Sequence, residues 1–491
     1  MLRAEPRPLP NWLAVVLVVG TSAAILVLEI LAGRLLAPYV GVSLDTYTGI
    51  IGTVLVGIAV GAWLGGIAAD RMDPRTLIPV LLVLGGALAI ATIPTVRALG
   101  PAGSSTGLGG ILVLTAVGFL PSATVLSAVP PAVVKLQLRT LDTTGATVGR
   151  LSAYGTTGAI AATFLTGFVL VAMAAVTTLI VSVGVLLVVG GLALWLAAPG
   201  ERRATNAGAV GGLSAFAGVA LVGATLLGSP CDTQTDYYCV TIVDDEDRAG
   251  GRTLVLDDLR HSYVVERDPT HLEFWYTRRF ADTIDLVDAS GPIDVVHIGG
   301  GAMTVPGWLQ ATRPDSRQVV FEIDEELIDL VVDEFDRDIG PGTGIDVVAG
   351  DGRISLADRP DDSADVVVGD AFGSRAVPWH LATIEFVDDI ERVLRPDGVY
   401  VLNLIDGPAQ DFLAAQARTI GEAFDHVEIV LGPSAAEGGL GNSVIVASDD
   451  PVNALDPDGG RIVDDIDAFV GGARVLTDDF APVDQLLAHA G

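Results

Sequence analysis

The hydrophobic pattern divides the chain near residue 230. Before that point, apolar stretches of about twenty residues or more follow one another with short polar breaks. Each is long enough to cross the ~30 Å hydrocarbon core of a bilayer as a helix. Seven spans are expected, roughly 11–32, 46–69, 76–96, 108–134, 150–172, 175–197 and 209–228, and the join at 172–175 is the least distinct. They are rich in Gly, Ala, Ser and Thr, which allow close helix approach in lipid. The first span is long, lacks an evident cleavage site and leads at once into further spans, so it does not read as a signal peptide.

After residue 230 the period shortens. Runs at 253–258 and 263–265 read as strands with a turn between them, and 272–286 as a helix carrying aromatic residues. An alternation of strand and helix follows. Strand 293–298 runs into Gly299-Gly300-Gly301; strand 318–323 ends at Glu322 and Asp324. Strand 345–349 leads to Gly350-Asp351-Gly352-Arg353, and strand 365–368 to Gly369-Asp370-Ala371-Phe372-Gly373. A helix over 385–394 and the turn Arg395-Pro396-Asp397-Gly398 precede strand 399–404. The expected architecture is a multi-pass α-helical membrane domain (1–230), a small β domain with a connecting helix (231–285), and a Rossmann-like α/β domain (286–491). The acidic end, about 451–491, is expected either to pack on the sheet or to remain mobile.

Charge sharpens the division. Residues 1–230 hold 7 acidic and 11 basic residues; the rest hold 53 and 17, a net charge of about −36. Lys135 is the single lysine. A surface this acidic repels itself at low salt, which points to adaptation to molar salt, as in haloarchaea, ahead of a polyacid for cationic substrates. It also disfavours nucleic acid as a partner.

With the N-terminus inside, inner segments hold Arg3, Arg7, Arg71, Arg75, Lys135, Arg139, Arg150, Arg202 and Arg203, and outer loops only Arg34 and Arg97. This positive-inside bias over seven spans places the soluble part outside the cell; one span more or fewer reverses it. Cys231 and Cys239 are the only cysteines. An outside location favours a disulfide between them; two reduced thiols are the other reading, and no further Cys or His nearby supports a metal site.

The chemistry-bearing residues cluster after the strands. In an open α/β sheet, ligands bind in the crevice at the strand carboxyl ends. Three glycines after the first strand let the backbone approach a ligand, and Glu322, 21 residues after Gly301, suits ribose hydroxyls. The G-x-G-x-x-G spacing is absent, since Ala302, Met303 and Thr304 follow. Acids at successive strand ends (Glu322, Asp351, Asp370) face this turn. His297 reads as a core histidine, His261 and His380 as structural or surface groups, and Arg353 as the partner of a nearby acid.

The run 295–404 resembles the core of the spermidine synthase (polyamine aminopropyltransferase) family, which is itself similar to class I AdoMet-dependent methyltransferases. The matching elements are the glycine turn, Phe321-Glu322-Ile323-Asp324, Gly350-Asp351-Gly352 and Asp370, in the family's order. The branch fused to N-terminal transmembrane helices is most similar, through Asp370-Ala371-Phe372-Gly373-Ser374-Arg375-Ala376-Val377-Pro378-Trp379-His380-Leu381 and Glu29-Ile30-Leu31-Ala32-Gly33-Arg34-Leu35-Leu36-Ala37-Pro38. The resemblance implies cofactor contacts from Gly299, Gly300, Gly301, Glu322 (ribose), Asp351 (adenine) and Gly352. It makes Asp370 the catalytic acid that orients and deprotonates an amine, and Tyr276 and His261 substrate contacts. The implied co-substrate is decarboxylated S-adenosylmethionine or S-adenosylmethionine, with no metal. Implied partners are a small-molecule amine, a lipid bilayer and a second copy of the chain. Three family contacts are changed: Ala302 and Gly373 stand where the family has aspartates, and His261 where it has a glutamine; the residue after the acceptor-site tyrosine is Thr277. Three functions follow as expectations: an aminopropyltransferase-like enzyme, an AdoMet-dependent methyltransferase, or a non-enzymatic transporter or sensor with a nucleoside-binding domain. An outside domain lacks ordinary access to an AdoMet-type ligand. Hence the span count is off by one, the cofactor is no longer used, or the membrane half supplies it.

Overall fold

A computed structural model describes residues 9–103, 107–138, 144–287, 291–340, 342–373, 376–451 and 456–488. Arg3, Arg7 and Arg139 of the charge count, and Ser374 and Arg375 of the motif after the fourth strand, lie outside the described residues. Two compact units form, Met1–Cys231 and Asp232–Gly491.

The first unit is helical: α1 (Asn11–Val40), α2 (Leu44–Arg71), α3 (Pro74–Gly103), α4 (Gly107–Ser127), α5 (Val129–Gln137), α6 (Thr144–Leu165), α7 (Val171–Met173), α8 (Val176–Ala197) and α9 (Gly200–Leu226). Among the described residues, seven helical stretches are long and apolar enough to cross a membrane. A π-helical turn, Thr166–Leu170, joins α6 to α7. The indistinct join is a true break: Ala174 is extended (φ −159°, ψ 144°) and α8 starts two residues later. The last helix begins at Gly200, nine residues before the apolar run. Its polar first turns are satisfied, since Arg202 pairs with Asp73 at 3.3 Å and Asn206 Nδ2 donates to Thr76 O at 2.7 Å. Lys135 pairs with Asp70 beside them, so one end of the bundle gathers these charges. At the other end the Arg97 guanidinium donates to Ala224 O (2.7 Å) and Thr177 Oγ1 (2.8 Å), tying α3 to α9 and α8.

Packing between α2 and α4 rests on missing side chains. A Cβ on Gly57 would meet Ala123 at 2.9 Å, and one on Gly61 would collide with Thr124 O and Ser127 Oγ. That proximity lets Ser127 Oγ donate to Gly57 O at 3.2 Å. Small residues four apart allow such close helix approach.

The second unit begins with a four-stranded antiparallel sheet in the order β1 (Thr233–Gln234), β2 (Cys239–Asp244), β3 (Gly251–Leu256), β4 (Leu259–Val265). The β3–β4 turn needs Asp257 in the left-handed region (φ 55°), which Asp tolerates better than most residues. Next comes α10 (Trp275–Leu286), three residues shorter at its start than the sequence suggests. The main sheet contains β5 (Asp294–Ile298), β6 (Arg317–Glu322), β7 (Ile345–Ala349), β8 (Ala364–Gly369), β9 (Leu394–Asp406), β10 (His426–Leu431), β11 (Gly441–Ser448) and β12 (Arg461–Ile462). Their order is β12-β10-β11-β9-β8-β5-β6-β7. Strands β5 to β9 pair in parallel; β11, β10 and β12 continue antiparallel. The chain runs outward from β5 through β6 to β7, then returns to place β8 on β5's other side. That reversal opens a crevice beyond the carboxyl ends of β5 and β8.

Helices α11 (Thr304–Thr312), α12 (Glu325–Phe335), α13 (Gly352–Ala357), α14 (Ile384–Val393) and α15 (Asp411–Ile420) cover the sheet. The turn 395–398 is absorbed into a long β9. The acidic terminal stretch packs on the sheet: Val463, Val470, Leu476 and Val483 are buried in the same cluster as Ile429 and Phe412.

Replacing Gly61 with valine should lower the melting temperature of the purified full-length protein by about 5 °C or more, because the branched side chain has no room against α4. Gly66→Ala, where a Cβ meets nothing within 4 Å, should leave it unchanged. Equal melting of both variants would contradict this packing.

Candidate active site

The apolar strand β5 stops at Gly299, whose φ of +93° and closeness to the Asp370 backbone carbonyl exclude a side chain. Gly301 (φ +48°) likewise presses on Ser262, its Cβ position lying 2.5 Å from Oγ. Ser262 Oγ accepts the Ala302 N–H at 3.0 Å, fixing the turn before α11 starts. Glu322, buried at the end of neighbouring β6, completes it: Oε2 accepts the Gly300 N–H at 2.9 Å and Oε1 the Asp324 N–H at 3.2 Å. Burial pushes the Glu322 carboxyl above its ordinary range, against those backbone hydrogen bonds. Asp324 caps α12 by accepting the Leu327 N–H (3.2 Å) and takes the Thr235 hydroxyl at 2.5 Å.

At the end of β7, Asp351 Oδ1 accepts the N–H groups of Arg353 (2.9 Å) and Ile354 (3.1 Å), and Oδ2 lies 2.8 Å from His380 Nε2. Arg353 forks onto Asp478 at 2.7 and 2.8 Å, the acid partner expected for it. His297 is a core residue bonded to Gln318 Oε1 at 3.0 Å, and burial lowers its pKa to about 4.

Asp370 follows β8 and lines the cavity, partly buried. Asn403 on β9 donates Nδ2 to its Oδ1 at 2.9 Å, and Asn442 on β11 donates to Asn403 Oδ1 at 3.0 Å. The Tyr276 hydroxyl donates to His261 O at 3.3 Å and lies close enough to the carboxyl to favour its ionised form. Desolvation raises the Asp370 pKa to about 6, while Asn403 and Tyr276 pull it down. Burial lowers His261 to about 4, so its ring is neutral near pH 7; its Nε2 is buried without a partner.

These groups surround one cavity of about 850 Å³, and all nine residues singled out from the sequence as cofactor, substrate or catalytic contacts line it. Cys231 and Cys239 are both disulfide-bonded and stand apart from it. The cavity also takes in residues that sequence reasoning did not assign: Asn403, Asn442, His380 and Tyr238, whose hydroxyl donates to Phe372 O at 3.1 Å. Asn403 was discoverable as the one polar residue in the apolar run 399–404. The Asn442 and His380 partnerships depend on non-local pairing. Of the changed positions, Ala302 is fully buried in an apolar cluster, while Gly373 lies at the cavity with only ordinary contacts for an added Cβ, 3.9 Å from Ala376 O. The Thr277 hydroxyl donates to Phe274 O at 2.8 Å.

No family model and no curated protein matches the chain. Among solved structures it is similar to a probable spermidine synthase from Corynebacterium glutamicum: 24% identity, 52% of this chain and 99% of that one covered, TM-score 0.48. Similarity extends to a spermidine synthase in complex with the transition-state analogue AdoDATO (21%, 46% and 73%, 0.36). It extends also to human methyltransferase-like protein 13 in complex with SAH (15%, 43% and 98%, 0.31).

Asp370 binds its proton more tightly folded than unfolded, so its ionisation opposes folding. The penalty is absent below pH 4, grows as pH rises through 6, and is complete above that. Asp370→Asn should therefore stabilise the full-length protein to urea at pH 7.5 by about 1–3 kcal/mol, with no gain at pH 4. A destabilised variant at pH 7.5 would contradict the buried charge.

Proposed function

We propose that the chain is a membrane-anchored, aminopropyltransferase-like enzyme that transfers an aminopropyl group from decarboxylated S-adenosylmethionine to an amine. The observation that carries this reading is the Asp370 carboxyl, held near pKa 6 by burial and oriented by Asn403 and Tyr276 across from the glycine turn. The family resemblance of the strand-end motifs supports it, and seven apolar helices support anchoring. The basic-residue bias and the disulfide favour the outer face for the second unit, and on that face the co-substrate must be supplied through the membrane half.

The residues suit the chemistry. Glycines at 299–301 admit the sulfonium nucleoside close to the backbone, Glu322 takes the ribose hydroxyls, and Asp351 lies on the adenine side. In the reaction the acceptor nitrogen attacks the methylene carbon bonded to sulfur. The N–C bond forms as the C–S bond breaks, and the electron pair leaves on sulfur, giving neutral methylthioadenosine. The new ammonium must lose a proton, and ionised Asp370 accepts it. A base with a pKa near 6 is mostly ionised at neutral pH yet still able to hold a proton. The same carboxyl steers the amine, and the Tyr276 and Phe274 rings flank its approach.

The test uses purified full-length protein in molar salt, decarboxylated AdoMet, a mixture of amines, and an assay for methylthioadenosine. Amine-dependent release is expected. Asp370→Asn should lower kcat by about 10²–10⁴-fold while sparing nucleoside affinity. Because the ionised form works, kcat/KM, corrected for the free-amine fraction, should fall as pH drops through about 6. Asn403→Leu removes a donor that favours the carboxylate, so it should move that limb to higher pH. Methyl transfer from AdoMet in a parallel reaction, without release from the decarboxylated donor, would replace this reading with the methyltransferase one. Binding without turnover of either would leave a nucleoside-binding transporter or sensor.

A further inference from the structure

Asp351 is committed before any ligand arrives. Its Oδ1 holds the first turn of α13 through two backbone N–H groups, and its Oδ2 holds His380 at 2.8 Å. The histidine is itself pinned. Its carbonyl accepts from Arg353 Nη1 at 3.1 Å, Arg353 is forked onto Asp478, and the Thr383 hydroxyl donates to Asp478 at 2.9 Å. The Trp379 ring meets the imidazole edge-on at 5.8 Å. Asp351 and the Trp379 ring thus hold the imidazole, and Arg353 its backbone carbonyl, where the side chain lines the cavity beyond the end of β7.

Strand order says which part of a nucleoside lies there. Glu322 ends β6 and Asp351 follows β7, its register neighbour. With the sugar on Glu322, the base extends toward Asp351 and His380. The tautomer that donates Nε2–H to the carboxylate leaves Nδ1 as an acceptor. In that tautomer the two residues offer the base edge acceptors.

We propose that His380 is the base-reading residue of this cavity, oriented by Asp351 and selective for a purine bearing an exocyclic amino group. This rests on the nucleoside-binding part of the reading above and is independent of which group is transferred. An amino N–H meets an acceptor; a 6-oxo group sets oxygen against acceptor and leaves both without a proton. If the His380–Asp351 pair were only a brace for the cavity rim, its loss would weaken every nucleoside alike. A reader changes the ratio between two ligands that differ at one atom.

Calorimetric titration of the full-length protein with methylthioadenosine and with methylthioinosine tests this without turnover. Wild-type protein should prefer the 6-amino ligand by about tenfold or more. His380→Ala should weaken the 6-amino ligand by about tenfold and bring the two within about threefold of each other. Wild-type binding of both ligands with equal affinity overturns base reading by His380 and leaves the nucleoside reading intact. Wild-type binding of neither overturns both. A His380→Ala protein that keeps the full preference assigns the reading to Asp351 alone, and an equal loss for both ligands makes the pair a brace; either result overturns the proposal. Should that variant fail to fold, the wild-type comparison still decides.

Discussion

The hydrogen bond from the Gly300 N–H to Glu322 Oε2 fixes the centre of the second unit. It joins the turn after β5 to the end of β6, and it does so with a carboxylate removed from water. A buried anion without donors is costly; here two backbone N–H groups meet it, and the turn that supplies one of them must be glycine on both sides. Gly299 and Gly301 have positive φ, and each would strike a neighbour with any side chain. The bond, the glycines and the β5–β8 crevice are one constraint seen from three sides.

The acidic composition takes on structure around that constraint. Asp324 and Asp406 are buried, and each is met by backbone N–H groups that would otherwise be unpaired at helix or loop starts. Asp294 bridges Arg317 and Arg395 at the amino ends of the strands, and its pKa is lowered by those hydrogen bonds despite partial burial. Acids therefore serve two purposes, internal capping and surface charge. Only the second depends on salt, because screening acts on exposed charges far more than on buried ones.

Local pattern announced much of this. The strand ends with Gly-Gly-Gly, Glu322, Asp351 and Asp370 were legible because a parallel sheet brings successive carboxyl ends to one rim, whatever the loops between them. Break positions in the helical unit were legible where charge and apolar length agreed, at Arg71 to Pro74. They were misplaced at Gly200, where the polar residues of α9 are satisfied by Asp73 and Thr76 far away in sequence. The antiparallel arm escaped notice, although Gly432-Pro433 and Gly438-Gly439 between β10 and β11 carry a turn signature. With it escaped Asn442, whose role exists only once β11 lies against β9.

That arm carries the last consequence. Asn442, Asn403 and Asp370 belong to β11, β9 and the end of β8, and their side chains form a single line across three neighbouring strands. Side chains alternate faces along a strand, so a slip of one residue between β9 and β8 would turn Asn403 away from the carboxyl altogether. The acidity of Asp370 is in this sense an outcome of strand register. Sequence change elsewhere in the arm that carries Asn442 can therefore retune the proton affinity of the site without touching a residue that lines it.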